Sequence, residues 1–105
     1  MKRYSVKVTS RALADMDAIY EHIAVRLQAP ETALRQYDRI AAAIESLCSF
    51  PGCNPLIDVQ PELDLGMRRM LVDNYSVIYV VHEATVTVLR ILYSSSDVIA
   101  RLKKE

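Results

Sequence analysis

The chain is poor in several residue types that mark large classes of protein. It has two cysteines, two glycines and no tryptophan among 105 residues, and its formal net charge is zero. Its longest apolar run near the C-terminal end, residues 75–81, is far shorter than the roughly 20 apolar residues of a membrane-spanning helix. The hydrophobic fraction of 51% and the lack of a low-complexity run predict one folded domain over residues 1–105.

The few cysteines and histidines predict neither a disulfide framework nor a metal site. Cys48 and Cys53 flank a predicted helix end, where a disulfide would close a very small loop, so we expect both thiols to be reduced. With only His22 and His82 as further ligands, no metal-binding spacing can be built. The two glycines stand apart, which excludes a phosphate-cradling loop, and we expect no cofactor. The basic N-terminus precedes no apolar stretch, so we expect no signal peptide, no membrane association and a cytoplasmic location.

The even balance of charge argues against a broad nucleic-acid-binding surface. Residues 1–66 carry seven basic and nine acidic side chains, whereas residues 67–105 carry six basic and four acidic ones. A protein that grips phosphate groups usually has a marked basic excess. Any basic patch is therefore local, and we expect it in the C-terminal third.

Periodicity predicts one strand and two helices in the first half of the chain. Residues 4–9 alternate apolar and polar side chains, which is typical of a strand with one buried face. Apolar residues then recur every three or four positions, which predicts helices near 11–27 and 30–49. Pro30 suits the first turn of the second helix, and the short connection predicts an antiparallel helical hairpin.

The second half of the chain predicts an antiparallel meander of strands at 67–72, 75–82 and 85–93. Residues 51–66 read as an irregular crossing loop, and residues 94–105 as a short final helix or tail. The first strand must join the sheet to bury its apolar face. We therefore predict an α+β fold of order β-α-α-β-β-β, with a helical hairpin packed on one face of a mostly antiparallel four-stranded sheet.

Basic and aromatic side chains of the meander are the candidate functional residues. Arg68 and Arg69 point to opposite sides of their strand, where they bind a partner or simply guard an edge strand by charge. Tyr93 ends the last strand, and its ordinary role would be rim packing with the hydroxyl in water. Both roles stay open from the sequence.

Arg90 is the most unusual residue of the last strand, because it interrupts an otherwise apolar run. Strand alternation places it on the same face as Val88 and Leu92. A guanidinium there needs a carboxylate partner, the rim of the sheet or a bound ligand. Asp97, which follows the same strand after a short serine turn, is the predicted partner.

Four stretches of the sequence, taken in their order along the chain, form one pattern. Residues 4–9 precede a helix with Ala12, Asp15, Ile19 and Ile23, and residues 44–51 end the second helix with Phe50-Pro51. Residues 67–79 hold an arginine pair, a turn and a Tyr-x-x-x-Tyr strand, and residues 86–93 form a last apolar strand before Asp97. This arrangement resembles the RelE/ParE family, the toxins of bacterial type II toxin–antitoxin systems, also known as plasmid stabilisation proteins.

Within that family, the chain looks closer to the ParE branch, whose members are known as gyrase poisons. The resemblance implies a toxin that inhibits growth by binding a target such as DNA gyrase through Arg68, Arg69, Arg90, Tyr93 and Asp97. It also implies neutralisation by a cognate antitoxin protein. This chain departs from the branch pattern at Tyr93, where a histidine is usual, and at residues 94–96, which are serines in place of basic residues.

Two alternatives remain open. In a RelE-like enzyme, a ribosome-dependent mRNA endonuclease, the resemblance would make Arg69, Arg90 and Tyr93 the residues that handle the scissile phosphate. Of the positions that correspond to the catalytic residues of that branch, only Arg69 keeps its charge, so we favour a toxin without bond-breaking chemistry. The other alternative is a decayed toxin or an interaction module with no poison activity.

The third strand and the fourth are apolar on both faces, which predicts a protein partner. Val77, Tyr79 and Val81 face one way, whereas Ile78 and Val80 face the other. Two helices can cover only one face of the sheet. We therefore expect the antitoxin to cover apolar surface; a homodimer and a hetero-oligomer with the antitoxin are both compatible with the sequence.

Overall fold

The computed structural model describes residues 3–49 and 66–93, and their elements follow the predicted order. The three strands of the meander and the two helices keep their predicted positions. The N-terminal strand joins the same sheet and lies at one edge of it. The elements are β1 (Ser5–Val8), α1 (Ser10–Glu21), a π-helical turn (His22–Arg26), α2 (Pro30–Ser46), β2 (Arg68–Val72), β3 (Tyr75–His82) and β4 (Thr85–Tyr93). The α+β prediction is therefore confirmed, and the structure adds a π turn at the end of the first helix.

Local capping explains where the two helices begin. Thr9 is the N-cap of α1: its Oγ1 accepts a hydrogen bond from the backbone N–H of Ala12 at 3.1 Å. Helix α2 begins at Pro30, whose missing N–H costs nothing in a first turn, and Glu31 follows beside the positive end of the helix. The α2 helix ends at Ser46, three residues before the predicted boundary.

The sheet has the strand order β1-β4-β3-β2, so the chain crosses from one edge to the other through the helical layer. Strand β1 pairs parallel with β4, from Ser5 opposite Thr85 to Val8 opposite Val88. The other two strand pairs are antiparallel. The prediction of a mostly antiparallel four-stranded sheet is confirmed.

The core lies between the helical hairpin and one face of the sheet. Tyr79 is the largest fully buried side chain, and it packs in a cluster to which both helices and all the central strands contribute. The other fully or nearly fully buried members of that cluster include Ala12, Met16, Ile40, Leu47, Val77, Val86, Val88 and Ile91. The helices therefore cover the face of β3 that carries Val77 and Tyr79.

A β-bulge in β4 changes the side of the sheet to which Arg90 points, compared with the sequence prediction. Ile78 is opposite Arg90 and Tyr79 is opposite Val88, so Leu89 is the extra residue of the bulge. One extra residue reverses the alternation of side chains beyond it. Val88 consequently belongs to the core cluster, whereas Arg90 and Leu92 alternate to the other side of the strand. The prediction that Arg90 shares a face with Val88 is wrong.

The second face of β3 is less open than the sequence suggested. The sequence predicts that a protein partner covers Ile78, but Ile78 has no exposed surface in this chain. Ser76, its neighbour on that face, has none either. The expectation that Ile78 is covered only by a partner is therefore wrong. The predicted tail helix at 94–105, together with Cys53 and most of the predicted crossing loop, lies outside the described residues. Among the helices that the structure describes, none has both the length and the apolar character to cross a membrane.

Helix α2 offers a test of where the core lies. Ile40 is fully buried against the sheet, whereas Leu34 on the same helix is mostly exposed. We expect Ile40→Ala to lower the free energy of unfolding by about 2–5 kcal/mol, because it removes buried methylene groups and leaves a cavity. Leu34→Ala, the matched control, should stay within about 0.5 kcal/mol of the wild type. Equal losses in urea denaturation of the two variants would contradict this packing.

Candidate functional site

A partly buried ion pair between Asp15 of α1 and Arg90 of β4 joins the helical layer to the sheet. Asp15 Oδ2 accepts a hydrogen bond from Arg90 Nε at 2.8 Å, and Asp15 Oδ1 accepts one from Arg90 Nη2 at 3.2 Å. The same Oδ2 accepts the backbone N–H of Ile91 at 3.0 Å. One carboxylate thus binds three donors on two consecutive residues of β4. Charge-assisted bonds of this two-pronged kind are the strong ones in proteins.

Asp15 compensates for the shortness of β1, which ends before β4 does. The last bonds between the two segments come from Thr9, whose N–H donates to Val88 O and whose Oγ1 donates to Leu89 O, both at 3.1 Å. The chain then turns away into α1, so within residues 3–49 and 66–93 no strand pairs with this edge of β4 beside Ile91. A buried backbone N–H without a partner is costly. Asp15 takes the place of the missing strand by accepting that N–H.

Asp15 is thus a partner of Arg90 in addition to Asp97, the partner that the sequence predicts. Asp97 itself lies outside the described residues. The sequence does carry a signal for Asp15, because Ala12, Asp15 and Ile19 are spaced by three and four residues and share one face of α1. An acidic residue inside an apolar stripe indicates a buried cation elsewhere in the fold.

Arg69 and Arg90 lie in one cross-strand row with Ile78 between them. Neighbouring strands are about 4.8 Å apart, so the backbones of the two arginines are about 10 Å apart. Their side chains leave the strands on the same side of the sheet. Arg69 Nε donates a hydrogen bond to Ser76 Oγ at 3.0 Å. Both arginines are thus engaged by side chains of this chain.

Arg68 and Tyr93 lie on the opposite side of the sheet from that row. Arg68 is opposite Tyr79, and Tyr93 is opposite Tyr75, and both partners belong to the core cluster under the helices. The structure therefore confirms that Arg68 and Arg69 point to opposite faces. It separates Tyr93 from Arg69 instead of bringing the two together.

Tyr75 and Tyr93 form an edge-to-face pair at the end of β4, with ring centroids 5.6 Å apart and an interplanar angle of 83°. Burial raises the pKa of Tyr75 above its ordinary value of 10.0, and the neighbouring Tyr93 raises it further. The Tyr75 hydroxyl is therefore protonated at neutral pH. Tyr93 is 43% exposed, so it is the member of the pair that faces solvent.

An open cleft of about 740 Å³ lies between the helical hairpin and the C-terminal end of β4. The helical side contributes Asp15, Ala18, Ile19, His22, Ile23, Leu27, Thr32 and Gln36, and the sheet contributes Asn74, Tyr75, Ile91, Leu92 and Tyr93. The floor is mainly apolar, and polar side chains lie along the rim. Such a concave apolar surface with a few polar groups is typical of a binding site.

A charged clamp that the periodicity of the sequence does not predict holds one wall of this cleft. Arg39 of α2 donates to both carboxylate oxygens of Asp73, at 2.7 and 2.9 Å, and Gln36 donates to Asp73 at 3.1 Å. Asp73 lies in the β2–β3 turn with a φ of 55°, a conformation that aspartate tolerates better than most residues. The clamp fixes this turn, and therefore the adjacent Asn74 and Tyr75, against α2.

Comparison with known proteins identifies the family. The model of a family described as the ParE toxin of type II toxin–antitoxin systems, parDE, matches residues 6–98. The chain belongs to the ParE toxin family. The resemblance that the sequence motifs carried is thereby confirmed, and this ParE-family protein is the toxin component of a type II toxin–antitoxin system.

Solved structures similar to this ParE-family toxin come from other toxin–antitoxin systems. One, from the chromosomal ParDE system of Pseudomonas aeruginosa, is 29% identical with a TM-score of 0.74, and the match covers 89% of this chain and 98% of that chain. The RelBE2 complex of Mycobacterium tuberculosis is 17% identical with a TM-score of 0.63, over 91% of this chain and 97% of that one. The RelE–RelB complex of Pyrococcus horikoshii is 19% identical with a TM-score of 0.58, over 90% and 97%. No curated protein sequence matches.

The histidines of this toxin lie apart from each other in the described residues. His22 and His82 are both exposed, and they lie on different elements. Across residues 3–49 and 66–93, no three histidine, cysteine, aspartate or glutamate side chains come together in a way that would hold a metal ion. The features that remain are an aromatic pair, an apolar cleft and arginines held by their own neighbours.

The first prediction for the site concerns the ion pair. We expect Asp15→Asn in this toxin to lower the free energy of unfolding by about 1.5–3 kcal/mol, because Arg90 then keeps a poorly exposed charge without its counter-ion. Asp17→Asn is the control, since Asp17 is an exposed carboxylate on the same helix. Urea denaturation of the two variants should separate them clearly. A loss that is the same for both would mean that Asp15 is an ordinary surface residue.

The second prediction concerns the clamp and pH. The hydrogen bond from Arg39, followed by that from Gln36, lowers the pKa of Asp73 below its ordinary value of 3.8. A depressed carboxyl pKa adds stability above the ordinary value, and this is lost as pH falls through the folded-state pKa. The stability difference between wild type and Asp73→Asn should therefore be largest at neutral pH and vanish in strong acid.

Denaturation at a series of pH values between 7 and 2 measures this difference. Asp38→Asn, which removes an exposed carboxylate from the same helix as Arg39, is the control and should show no comparable pH dependence. Because the clamp is exposed, 1 M salt should also weaken it. A difference that stays constant down to pH 2 would contradict the clamp.

Proposed function

We propose that this toxin stops growth by binding DNA gyrase, without cutting RNA itself, and that a cognate antitoxin neutralises it. The observation that carries the proposal is the separation of the three residues that a RelE-like nuclease would use. Arg69 points to the side of the sheet opposite Tyr93, which pairs with Tyr75, and the guanidinium of Arg90 is held by Asp15 of α1. General acid–base catalysis requires such groups to converge on one scissile phosphate.

The state of Arg90 adds a second argument against phosphate chemistry. Its side chain is 10% exposed and its guanidinium faces Asp15. An arginine that stabilises a phosphorane must deliver its positive charge to the substrate. The charge of Arg90 is already balanced by the Asp15 carboxylate. We therefore assign Arg90 to the framework of the toxin and withdraw it from the surface that contacts the target.

The proposed target-binding surface then centres on Tyr93 of β4, and the arginines of edge strand β2, two strands away, are further proposed contacts. Tyr93 is an exposed aromatic residue at the end of β4, and tyrosine is enriched among the residues that dominate protein–protein binding. Arg68 and Arg69 are half-buried on β2, which is an edge of the sheet. Asp97 stays a predicted member of this surface.

The comparisons favour the ParE assignment over the RelE one. The similarity is 29% identity to the ParDE chain, against 17% and 19% to the two RelE-type chains, whose likeness concerns the fold alone. These relatives come from toxin–antitoxin systems or complexes, which supports an antitoxin as the partner here. We expect the toxin to act in the cytoplasm, where gyrase works, in a pair that stabilises the replicon carrying it.

Inhibition of purified gyrase tests the proposal. We expect the toxin to block supercoiling by gyrase, and Tyr93→Ala to weaken that block by about tenfold or more, since a binding anchor contributes over 1 kcal/mol. Tyr20→Ala is the matched control: Tyr20 is 38% exposed and also forms an edge-to-face pair, with Tyr37 at 6.2 Å. It should inhibit like the wild type.

Translating ribosomes provide the contrasting assay. Messenger RNA on ribosomes exposed to the toxin should stay intact, as judged by primer extension. Codon-specific cuts would overturn the proposal in favour of a RelE-like endonuclease. A folded toxin that affects neither gyrase nor ribosomes, and does not slow growth when induced alone, would instead indicate a decayed member of the family.

A further inference from the structure

The clamp formed by Arg39, Gln36 and Asp73 contributes more to position than to stability. The Arg39 and Asp73 side chains are 60% and 34% exposed, and ion pairs that water reaches stabilise a fold only modestly. Arg39 nevertheless donates to both oxygens of one carboxylate, which fixes the direction as well as the distance between the two groups. The clamp therefore sets where the turn between β2 and β3 lies relative to α2.

The two hairpin turns of the meander differ in what holds them. Both have an acidic residue with a φ of 55°, Asp73 in one turn and Glu83 in the other. The backbone of β1 holds the β3–β4 turn, because the N–H of Ser5 donates to Ala84 O at 2.8 Å. The β2–β3 turn lies beside the edge strand β2, and side chains attach it to α2. The attachment of this turn to the helical layer therefore depends on charge.

Tyr75 connects the clamped turn to the exposed end of β4. It is the first residue of β3 and follows the turn directly, so the position of Asp73 sets where β3 begins. Tyr75 is opposite Tyr93 in the sheet, and the two rings form the edge-to-face pair with centroids 5.6 Å apart. A continuous set of contacts thus runs from α2 through the turn and Tyr75 to Tyr93.

Tyr93 depends on this support because it lies at the end of its strand. Strand β1 stops pairing with β4 at Val88, and β3 is the described strand that continues beside β4 to Tyr93. The Tyr93 ring is 43% exposed, and Tyr75 is its described aromatic neighbour. An exposed side chain without a fixed neighbour occupies several rotamers. A binding partner must then order it, which lowers the affinity by about two- to tenfold.

We propose that Arg39 is a positioning residue for target binding, which acts through Asp73 and Tyr75 to hold the ring of Tyr93. This rests on the proposed function, because it takes Tyr93 as the anchor that contacts gyrase. Arg39 itself does not contact gyrase; it reduces the conformational entropy that the toxin loses on binding. Because the clamp is charged and exposed, the order of the Tyr93 ring depends on ionic strength.

Inhibition of gyrase supercoiling tests the effect on binding. We expect Arg39→Met, which removes the charge but keeps an unbranched side chain, to raise the toxin concentration for half-inhibition by about three- to tenfold. Arg35→Met is the matched control, because Arg35 is an exposed arginine on the same helix, one turn before Arg39. It should inhibit like the wild type, and both variants should melt close to the wild type.

A second series of variants separates positioning from direct contact. In a Tyr93→Ala background, Arg39→Met should cause no further loss of inhibition, because the ring that Arg39 positions is gone. Asp73→Asn should weaken inhibition as Arg39→Met does, and the two changes together should be no worse than either alone. An equal effect of Arg39→Met with and without Tyr93 would mean that Arg39 contacts gyrase itself, which would overturn the proposal.

Nuclear magnetic resonance observes the Tyr93 ring in the toxin without gyrase. With isotope-labelled tyrosine, the wild type should show cross-relaxation between the rings of Tyr75 and Tyr93. Arg39→Met should weaken these signals, and so should about 1 M salt, which screens the clamp. The signals between Tyr20 and Tyr37, whose centroids are 6.2 Å apart, should stay unchanged in Arg39→Met and serve as the internal control.

The outcomes distinguish the positioning role from the function on which it rests. If the wild-type toxin does not inhibit gyrase, the proposed function fails, and the ring signals still decide whether Arg39 positions Tyr93. If the wild type inhibits gyrase and Arg39→Met inhibits it equally well, the function stands and the positioning role is refuted. Ring signals that are the same in Arg39→Met and the wild type would refute that role whatever the target.

Discussion

The ion pair between Asp15 and Arg90 joins the helices to the sheet at the point where β1 has ended. Asp15 holds the guanidinium and also accepts the N–H of Ile91, so it closes an edge that none of the described strands covers. Breaking a poorly exposed pair costs more than breaking a surface pair, because one charge is left without its counter-ion. The position of the end of β4, and with it Tyr93, depends on this contact.

Two irregularities in regular elements adapt the fold to that contact. The bulge at Leu89 reverses the alternation of β4, which places Ile91 in the core and Arg90 on the other side of the strand. The π turn ends α1 beside the cleft that is lined by the same strand end. Each irregularity is an extra residue in one element, and both lie next to the proposed binding surface, as bulges and π turns often do.

The sequence predicted the features that depend on local periodicity. The strand at the N-terminus, the hairpin with Pro30 in its second helix and the meander all follow from apolar spacing, and the structure has them. The family resemblance, which rested on the order of several weak motifs, is also confirmed. These features depend on residues that are close together in the chain.

The sequence did not predict the features that depend on distant residues. The sequence predicts Asp97 as the partner of Arg90 because it is near in the chain, and it gives no sign of the pair that Arg90 forms with Asp15, 75 residues away. The bulge at Leu89 follows from how β4 pairs with β3, and alternation within one strand gives no sign of it. The Arg39–Asp73 clamp likewise forms only when α2 lies against the β2–β3 turn.

A double-mutant cycle on Asp15 and Arg90 tests most directly whether the pair organises the fold. The free energies of unfolding of Asp15→Ala, Arg90→Ala and the double variant are compared with that of the wild type. We expect the double variant to lose less stability than the two single losses together, with a coupling energy of about 1–3 kcal/mol, because each single change leaves a charge without its counter-ion. Single losses that add to within about 0.3 kcal/mol would contradict the account, since the two residues would then be independent.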